Sequence, residues 1–567
     1  MRKKLLIALI GIGIVSFGGL FFLIGKQVVR VVKSYYASHS DYKPMSKNLV
    51  MEQKRFVVLI TSHNTEEFVE KNMRSVLEQN YDNFRIVFID NGSSDRSFSK
   101  AGDWVRRYKM TPRTKFVRRG EKTSTTELLY FAIQEMNNQE IVVLLDGKDW
   151  FSHTEVLNEL NRYYNDPHVW LTYAQYSNFP EYEKGNARSP ILHAKKQLVL
   201  RASPWIYSHY CTFYAGLFKR IKMRDLLYEG SFFQYKTNRA ILMPMLEMSE
   251  EHAIFIPSVL YVNNRKVQKE MSQEEVKSIR SYSRYIRSLR PYNKLTQHPK
   301  YEIASNQEVD LFIFSSDRPL QLYSFLESQK KCAPGINDVY VIFSASEEKY
   351  MEGYELVRRT FPEVCFIHKG TKSSSLKSDL MAQINKVSSD YVAVAEDQLI
   401  LKDQVDLNRA VSLLEKTGAY GVYFSLGLNL SSLPKQYYNF IEGAIAWQFN
   451  QGKDDWGHSH SMGMVIYRKS DLIDSIARLS FQSIPSFQKA FVEMSQNDEL
   501  GVCFTDSKSV FNFFEIFRVK EGGKKVAYTT KELNDLFLEG MKLDIRPLYR
   551  IQNKETNVSK IPHFVNQ

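Results

Sequence analysis

Short apolar runs that end in polar loops set the organisation of the chain. Phe56-Val57-Val58-Leu59-Ile60 is rich in β-branched residues and has no polar face, so it predicts a strand buried on both sides. Thr61-Ser62-His63-Asn64 breaks the run. Asn64 followed by Glu67 predicts a capping box, and Phe68, Val69, Met73, Val76 and Leu77 then recur on one helical face. Tyr81-Asp82-Asn83 turns the chain into a second strand, Ile86-Val87-Phe88-Ile89, which ends in Asp90-Asn91-Gly92-Ser93-Ser94-Asp95. This is a βαβ unit, and open sheets of this kind bind ligands outside the carboxyl ends of their strands. Thr126 to Met136 predicts a further helix. Ile141 to Leu145 predicts a third buried strand, ending in Asp146-Gly147-Lys148-Asp149-Trp150.

The pattern returns in the second half. Val309 to Phe314, Val339 to Phe343 and Tyr391 to Ala395 are apolar strands. Pro319 opens the helix after the first, and the third ends in Glu396-Asp397. The spacing is close to that of the first half: 60 to 90 against 314 to 344, both 30, and 90 to 146 against 344 to 396, 56 and 52. Two copies of one α/β architecture in tandem are expected. The polar, basic stretch between them predicts a helical linker. The expected domains are an anchor and stalk at 1–50, a first α/β domain at 51–265, a linker at 266–305 and a second α/β domain at 306–567.

Leu5 to Ile24 is almost wholly apolar and long enough to span a bilayer, with Arg2, Lys3 and Lys4 before it and Lys26, Arg30 and Lys33 after it. An uncleaved single-pass anchor is expected. The flanking charges are balanced and leave its orientation open. Asn91-Gly92-Ser93 is a glycosylation acceptor sequence beside the second strand's acidic loop, where a glycan would obstruct a ligand. A cytosol-facing globular part is therefore expected.

Composition narrows the class. At 567 residues, with 43% hydrophobic and 25% charged, the chain is a multidomain globular protein. A net charge of +13 suits a polyphosphate ligand or an anionic membrane face. No nucleic-acid-binding motif accompanies it, and no nucleic-acid partner is expected. The four cysteines lie far apart, which suits neither a zinc site nor a disulfide framework.

The order of apolar strand, TSHN, SVLEQNYDNFRIV and IDNGSSD resembles the N-terminal half of glycosyltransferase family 2, with its GT-A fold. The resemblance implies an enzyme that moves a sugar from a nucleotide-sugar donor, with UDP the expected nucleotide. The acceptor would be a hydroxyl of a glycan, lipid or protein. It places Thr61, Ser62 and Asp90 against the base and ribose. It also implies a divalent metal, Mn²⁺ or Mg²⁺, held by acids after the third strand. That pattern is usually Asp-x-Asp, and here Lys148 replaces one acid, leaving Asp146 and Asp149. Lys148 can face a phosphate as a point charge. The family's base position falls on Asn238, which cannot accept a proton usefully, so Glu247 and Asp149 become the catalytic candidates.

The second copy carries its own constellation. Glu396 and Asp397 stand where the resemblance puts metal acids, and Lys453-Asp454-Asp455-Trp456-Gly457-His458-Ser459-His460 supplies further donors. His458 and His460 are expected metal ligands and Asp455 an expected catalytic acid or base. A polar surface loop pinned by Trp456 is the alternative. Lys148 and Asn238 also favour a different class, a catalytically degenerate tandem that binds carbohydrate or scaffolds a partner.

Overall fold

The computed structural model describes residues 51–189, 197–266, 271–301, 307–370, 375–440, 443–494, 498–511, 517–519, 525–558 and 563–567. The apolar run Leu5 to Ile24 lies outside the described residues, among which no helix is long and apolar enough to cross a membrane. The chain divides into two compact units, residues 1–221 with 231–302, and residues 222–230 with 303–567.

In the first unit β1 (Phe56–Ser62), β2 (Phe84–Asn91), β3 (Thr114–Arg119) and β4 (Ile141–Asp146) pair in parallel, in the order β3-β2-β1-β4. The sheet continues through antiparallel Cys211–Tyr214, then Leu171–Phe179, Ala253–Asn264 and the short Trp150–Phe151. Val57, Val58, Leu59 and Ile60 are fully buried, as a central strand covered on both faces requires. Burying each contributes about 1.5–3 kcal/mol. The helix Val69–Leu77 covers one face with Val69, Met73, Val76 and Leu77.

Its predicted capping box does not form. The helix begins at Val69, Phe68 is its cap residue, and no side chain caps it. Asn64 takes positive φ (52°), and its side chain instead accepts from Ser94 N at 2.9 Å. The carboxyl-end loops of β1 and β2 are joined by a row of such bonds: Asn64 N to Ser93 Oγ, Thr65 N to Ser97 Oγ, Glu66 N to Asp95 Oδ2 and Arg96 N to Glu66 Oε2, all 2.8–3.0 Å.

The second unit repeats the plan. Its sheet runs Cys365–His368, Val339–Ser344, Val309–Ser316, Tyr391–Glu396, Gly463–Arg468, Gly421–Tyr423 and Leu500–Phe504 before two further strands. Its first seven strands share the order and the directions of the first seven in the first unit: three parallel pairings, two antiparallel, then one parallel. The α/β class and the repeat read from spacing correspond to this arrangement.

Of the segment expected as a linker, residues 271–301 group with the first unit. Within it Gln273–Ser288 is helical, opened by a Ser272–Glu275 capping box, and buries Ile286. Glu247, a catalytic candidate from the sequence, lies inside this packing. Its carboxylate forms a two-pronged pair with Arg201 (2.6 and 2.8 Å) and accepts from Tyr292 N at 3.0 Å. Arg201 also bonds the carbonyl of Ile286. Glu247 is therefore a structural residue, fully enclosed and with its oxygens occupied. Arg201→Ala leaves that carboxylate buried and unpaired. A loss of about 3–5 kcal/mol is expected in urea unfolding, most of it recovered in the Arg201→Met/Glu247→Leu double variant.

Candidate functional site

The carboxyl ends of β1 and β4 open into a cavity of about 490 Å³, within the range of small-molecule sites. Thr61 and Asp146 line it, as the order of strands predicts, and they stand opposite each other across the β1–β4 pairing. Among the described residues Asp146 is the single acidic side chain lining the cavity, and one of its oxygens accepts from Lys148 N at 3.1 Å. It is accessible from the cavity yet ringed by protein, and this desolvation raises its carboxyl above the usual range.

The acidic loop is held from below. Asn72, buried in the helix Val69–Leu77, donates both amide protons to it, to Asp146 O at 3.0 Å and Asp149 O at 2.7 Å. Gly147 N donates to Thr61 O at 2.8 Å. A Cβ on Gly147 would lie 2.9 Å from Ser62 Cβ, so the loop needs glycine there to approach β1. Ser62 is buried and its hydroxyl pairs with Thr65 Oγ1 at 2.6 Å. Of the expected nucleotide contacts on β1, Thr61 faces the cavity, while Ser62 is committed to the loop.

Asp90 ends β2 beside Ser62 and is wholly buried. Its Oδ2 accepts from Ser93 N at 3.4 Å and lies 3.5 Å from Arg118 Nε. Its Oδ1 has no hydrogen-bond partner. An orphaned, buried carboxylate oxygen is costly, and a ligand hydroxyl or N–H would relieve that cost.

Asp149 does not line the cavity. It is buried, accepting from Tyr210 OH at 2.7 Å and from Asn264 N at 2.9 Å. It ties the acidic loop to the strand Ala253–Asn264 and orients Tyr210, which stacks on Tyr261 at 4.5 Å. The sequence reading of Asp149 as a catalytic group is corrected to a positioning one, because protein donors occupy both of its oxygens. Burial, then the negative charge of Asp146, push its carboxyl up to about 7.

The sequence reading missed much of the cavity wall. Trp205, Tyr207, His209 and Tyr210 come from one loop between strands, and Lys236 and Arg239 from the start of the helix Thr237–Ser249. His209 packs 3.9 Å from Tyr210. Burial, with Lys148 nearby, lowers its imidazole to about 4, so it is a neutral base at the cavity.

In the second unit the expected metal ligands are not brought together. Asp397 is fully buried and accepts from Ser315 Oγ at 2.7 Å and Arg318 Nη1 at 3.3 Å. Glu396 bonds Gln488 Nε2 at 3.3 Å and is pushed up to about 7 by burial and then by Asp397. His460 points into the core, with Nε2 on Tyr420 OH at 2.8 Å and Nδ1 on Ser459 Oγ at 2.9 Å. Burial lowers it to about 4. Trp456 is buried and donates to Ser432 O at 2.8 Å, so it pins the loop. His458 and Asp455 remain at the surface, with Asp455 accepting from Thr556 Oγ1 at 2.5 Å. Among the described residues no group of three or more His, Cys, Asp or Glu side chains could hold a metal. A cation here would compete with Arg318 for Asp397 and with Tyr420 for His460.

The raised carboxyl of Asp149 gives a pH test. The folded chain keeps a proton that the unfolded chain releases above its ordinary value of 3.8. The stability it contributes is present at acid pH and is lost as pH rises towards 7. Asp149→Asn keeps an acceptor for Asn264 N and removes this titration. The variant is expected to lose less stability than the native chain in urea melts between about pH 4 and 7.

The model for glycosyl transferase family 2 matches residues 57–224. A bifunctional glycosyltransferase, pgtA, of Dictyostelium discoideum is 26% identical over 274 residues, 40% of this chain and 34% of the relative. The chain thus spans about a third of that relative's length. Among solved structures, S. aureus TarS 1-349 in complex with UDP-GlcNAc is similar at 13% identity and TM-score 0.31, over 41% of this chain and 67% of that one. The mannosyltransferase PcManGT from Pyrobaculum calidifontis, in complex with GDP-Man and Mn²⁺, is similar at 17% identity and TM-score 0.27, over 44% and 68%. Residues 57–224, which carry the four parallel strands, the acidic loop and the aromatic wall of the cavity, are the part of the chain that the glycosyl transferase family 2 model matches.

Proposed function

We propose that the chain is a glycosyltransferase whose first unit moves a sugar from a UDP-linked donor to a hydroxyl of a glycan, lipid or protein acceptor. The observation that carries the reading is the orphaned Oδ1 of Asp90 at the end of β2, in a family 2 domain whose Asp146 opens on a cavity of substrate size. Asp90, which stands beside Ser62 on the neighbouring strand and does not itself line the cavity, accepts a hydrogen bond from the base or ribose, and Thr61 faces the cavity. Lys148 faces the diphosphate as a point charge.

A single free carboxylate beside substrate phosphates is a donor set that suits Mg²⁺ or Mn²⁺, so Asp146 is the residue that would hold the ion. When bound, such an ion neutralises charge on the departing diphosphate. The acceptor oxygen bonds to the anomeric carbon as the carbon–oxygen bond to the diphosphate breaks. His209, neutral and facing the cavity, takes the acceptor's proton. Its depressed basicity recovers when a diphosphate binds beside it, since a nearby anion favours the imidazolium.

The Arg318–Asp397 pair supports a second unit without metal chemistry of its own. Leu5 to Ile24 supports a single-pass tether. Asn91 is buried, with its amide bonded both ways to Thr123 (2.9 Å each), so a glycan there is incompatible with this fold. That supports a cytosol-facing globular part.

Nucleotide release from a panel of sugar nucleotides, with and without Mn²⁺ or Mg²⁺, tests the activity. Asp90→Ala is expected to weaken UDP binding about tenfold or more by calorimetry, the worth of a hydrogen bond to a charged group. Asp146→Asn is expected to lower kcat about 100-fold and His209→Gln a similar amount. Asp397→Ala should leave turnover intact while lowering stability. A dead Asp397→Ala with a fully active Asp146→Asn would move the chemistry to the second unit.

A further inference from the structure

The charges around the cavity do not balance. Among the described residues Asp146 is its single acidic lining residue, whereas Lys236 and Arg239 both line it and Lys148 stands near His209. Among the described residues neither Lys236 nor Arg239 makes an ion pair. Arg239 Nε is buried without a hydrogen-bond partner, and the guanidinium lies 5.1 Å over the ring of Trp205. Tyr207 meets that ring edge-on at 5.2 Å and holds it in place. Burial and then the charge of Arg239 lower Lys236, and burial and then the charge of Arg287 lower Arg239. An exposed lysine and a half-buried arginine on the same cavity wall, with no protein anion paired to either among the described residues, are a seat for an anion from outside. Trp205 beside them is a flat apolar face of the kind on which a sugar ring packs.

The donor's diphosphate is one source of that anion. On the reading above, Asp146 holding a divalent ion and Lys148 would meet its two charges, and they come from the β4 end. Lys236 and Arg239 come from another element, which also supplies Asn238 to the cavity. We propose, resting on the glycosyltransferase reading above, that the acceptor is a phosphorylated sugar or polyol, its phosphate seated on Lys236 and Arg239 and its ring against Trp205. Arg239 offers the planar, two-pronged recognition that suits a phosphate, and Lys236 adds a point charge.

The test uses the full chain saturated with UDP or, in a parallel series, GDP. Glucose 6-phosphate and glucose are titrated by calorimetry into the native chain and into Lys236→Met/Arg239→Met, whose melting is checked alongside. The phosphorylated sugar is expected to bind at least about tenfold more tightly than glucose to the native chain. The double variant is expected to lose that preference while binding the nucleotide within about twofold of native. Equal binding of the two sugars, or of neither, overturns the proposal. So does a parallel loss of nucleotide affinity in the double variant, which would assign both cations to the donor's diphosphate. Failure of the native chain to bind either nucleotide would instead remove the glycosyltransferase reading, and this proposal with it.

Discussion

The candidate site depends on how one short loop is clamped. Residues 146–149 leave β4 at the point where a parallel sheet exposes its ligands, but a free loop would not hold a carboxylate in one place. Asn72 supplies both protons of its amide to that loop, and Gly147 lets it lie against β1 closely enough to bond Thr61. Asp149 then fastens the loop to Asn264 and Tyr210. The result is that one acid faces the cavity and the other is consumed in holding it there. Preorganisation of this kind lets a charged group act without reorganising during a reaction.

The two units show how one architecture can diverge through a single pairing. Both place acids at the end of the strand next to the central one, in the same strand order. In the first unit, among the described residues, no side-chain cation makes an ion pair with Asp146. In the second, Arg318 and Ser315 close over Asp397, and Glu396 meets Gln488. A buried carboxylate bonded by a guanidinium has its charge satisfied internally, which removes the reason to recruit an ion.

Several expectations failed in one physical way. Glu247, Asp149 and His460 are polar residues in positions that suit chemistry, and each turned out to be a partner in an internal bond. Buried polar groups must be paired, and a linear sequence does not show with whom. Arg201 lies 46 residues from Glu247, and Tyr420 lies 40 from His460. The same blindness hid the cavity wall. Trp205, Tyr207 and His209 sit in a loop with no periodicity, and no local feature distinguishes them from core aromatics.

The sequence by itself determined the strands, their spacing, the repeat and the acids at their carboxyl ends. Those features follow from apolar runs and their polar breaks, which are local. Asp90, Thr61 and Asp146 could be named for that reason: a residue at the end of a central parallel strand has little choice of where to point. Only the tertiary structure decided which acids stay open and which are bonded shut, that the basic stretch 273–288 packs as part of the first unit, and that two cations share a cavity with Trp205. Those outcomes depend on contacts between segments far apart in the chain. Such contacts are fixed by packing and by the need to satisfy every buried polar group at once.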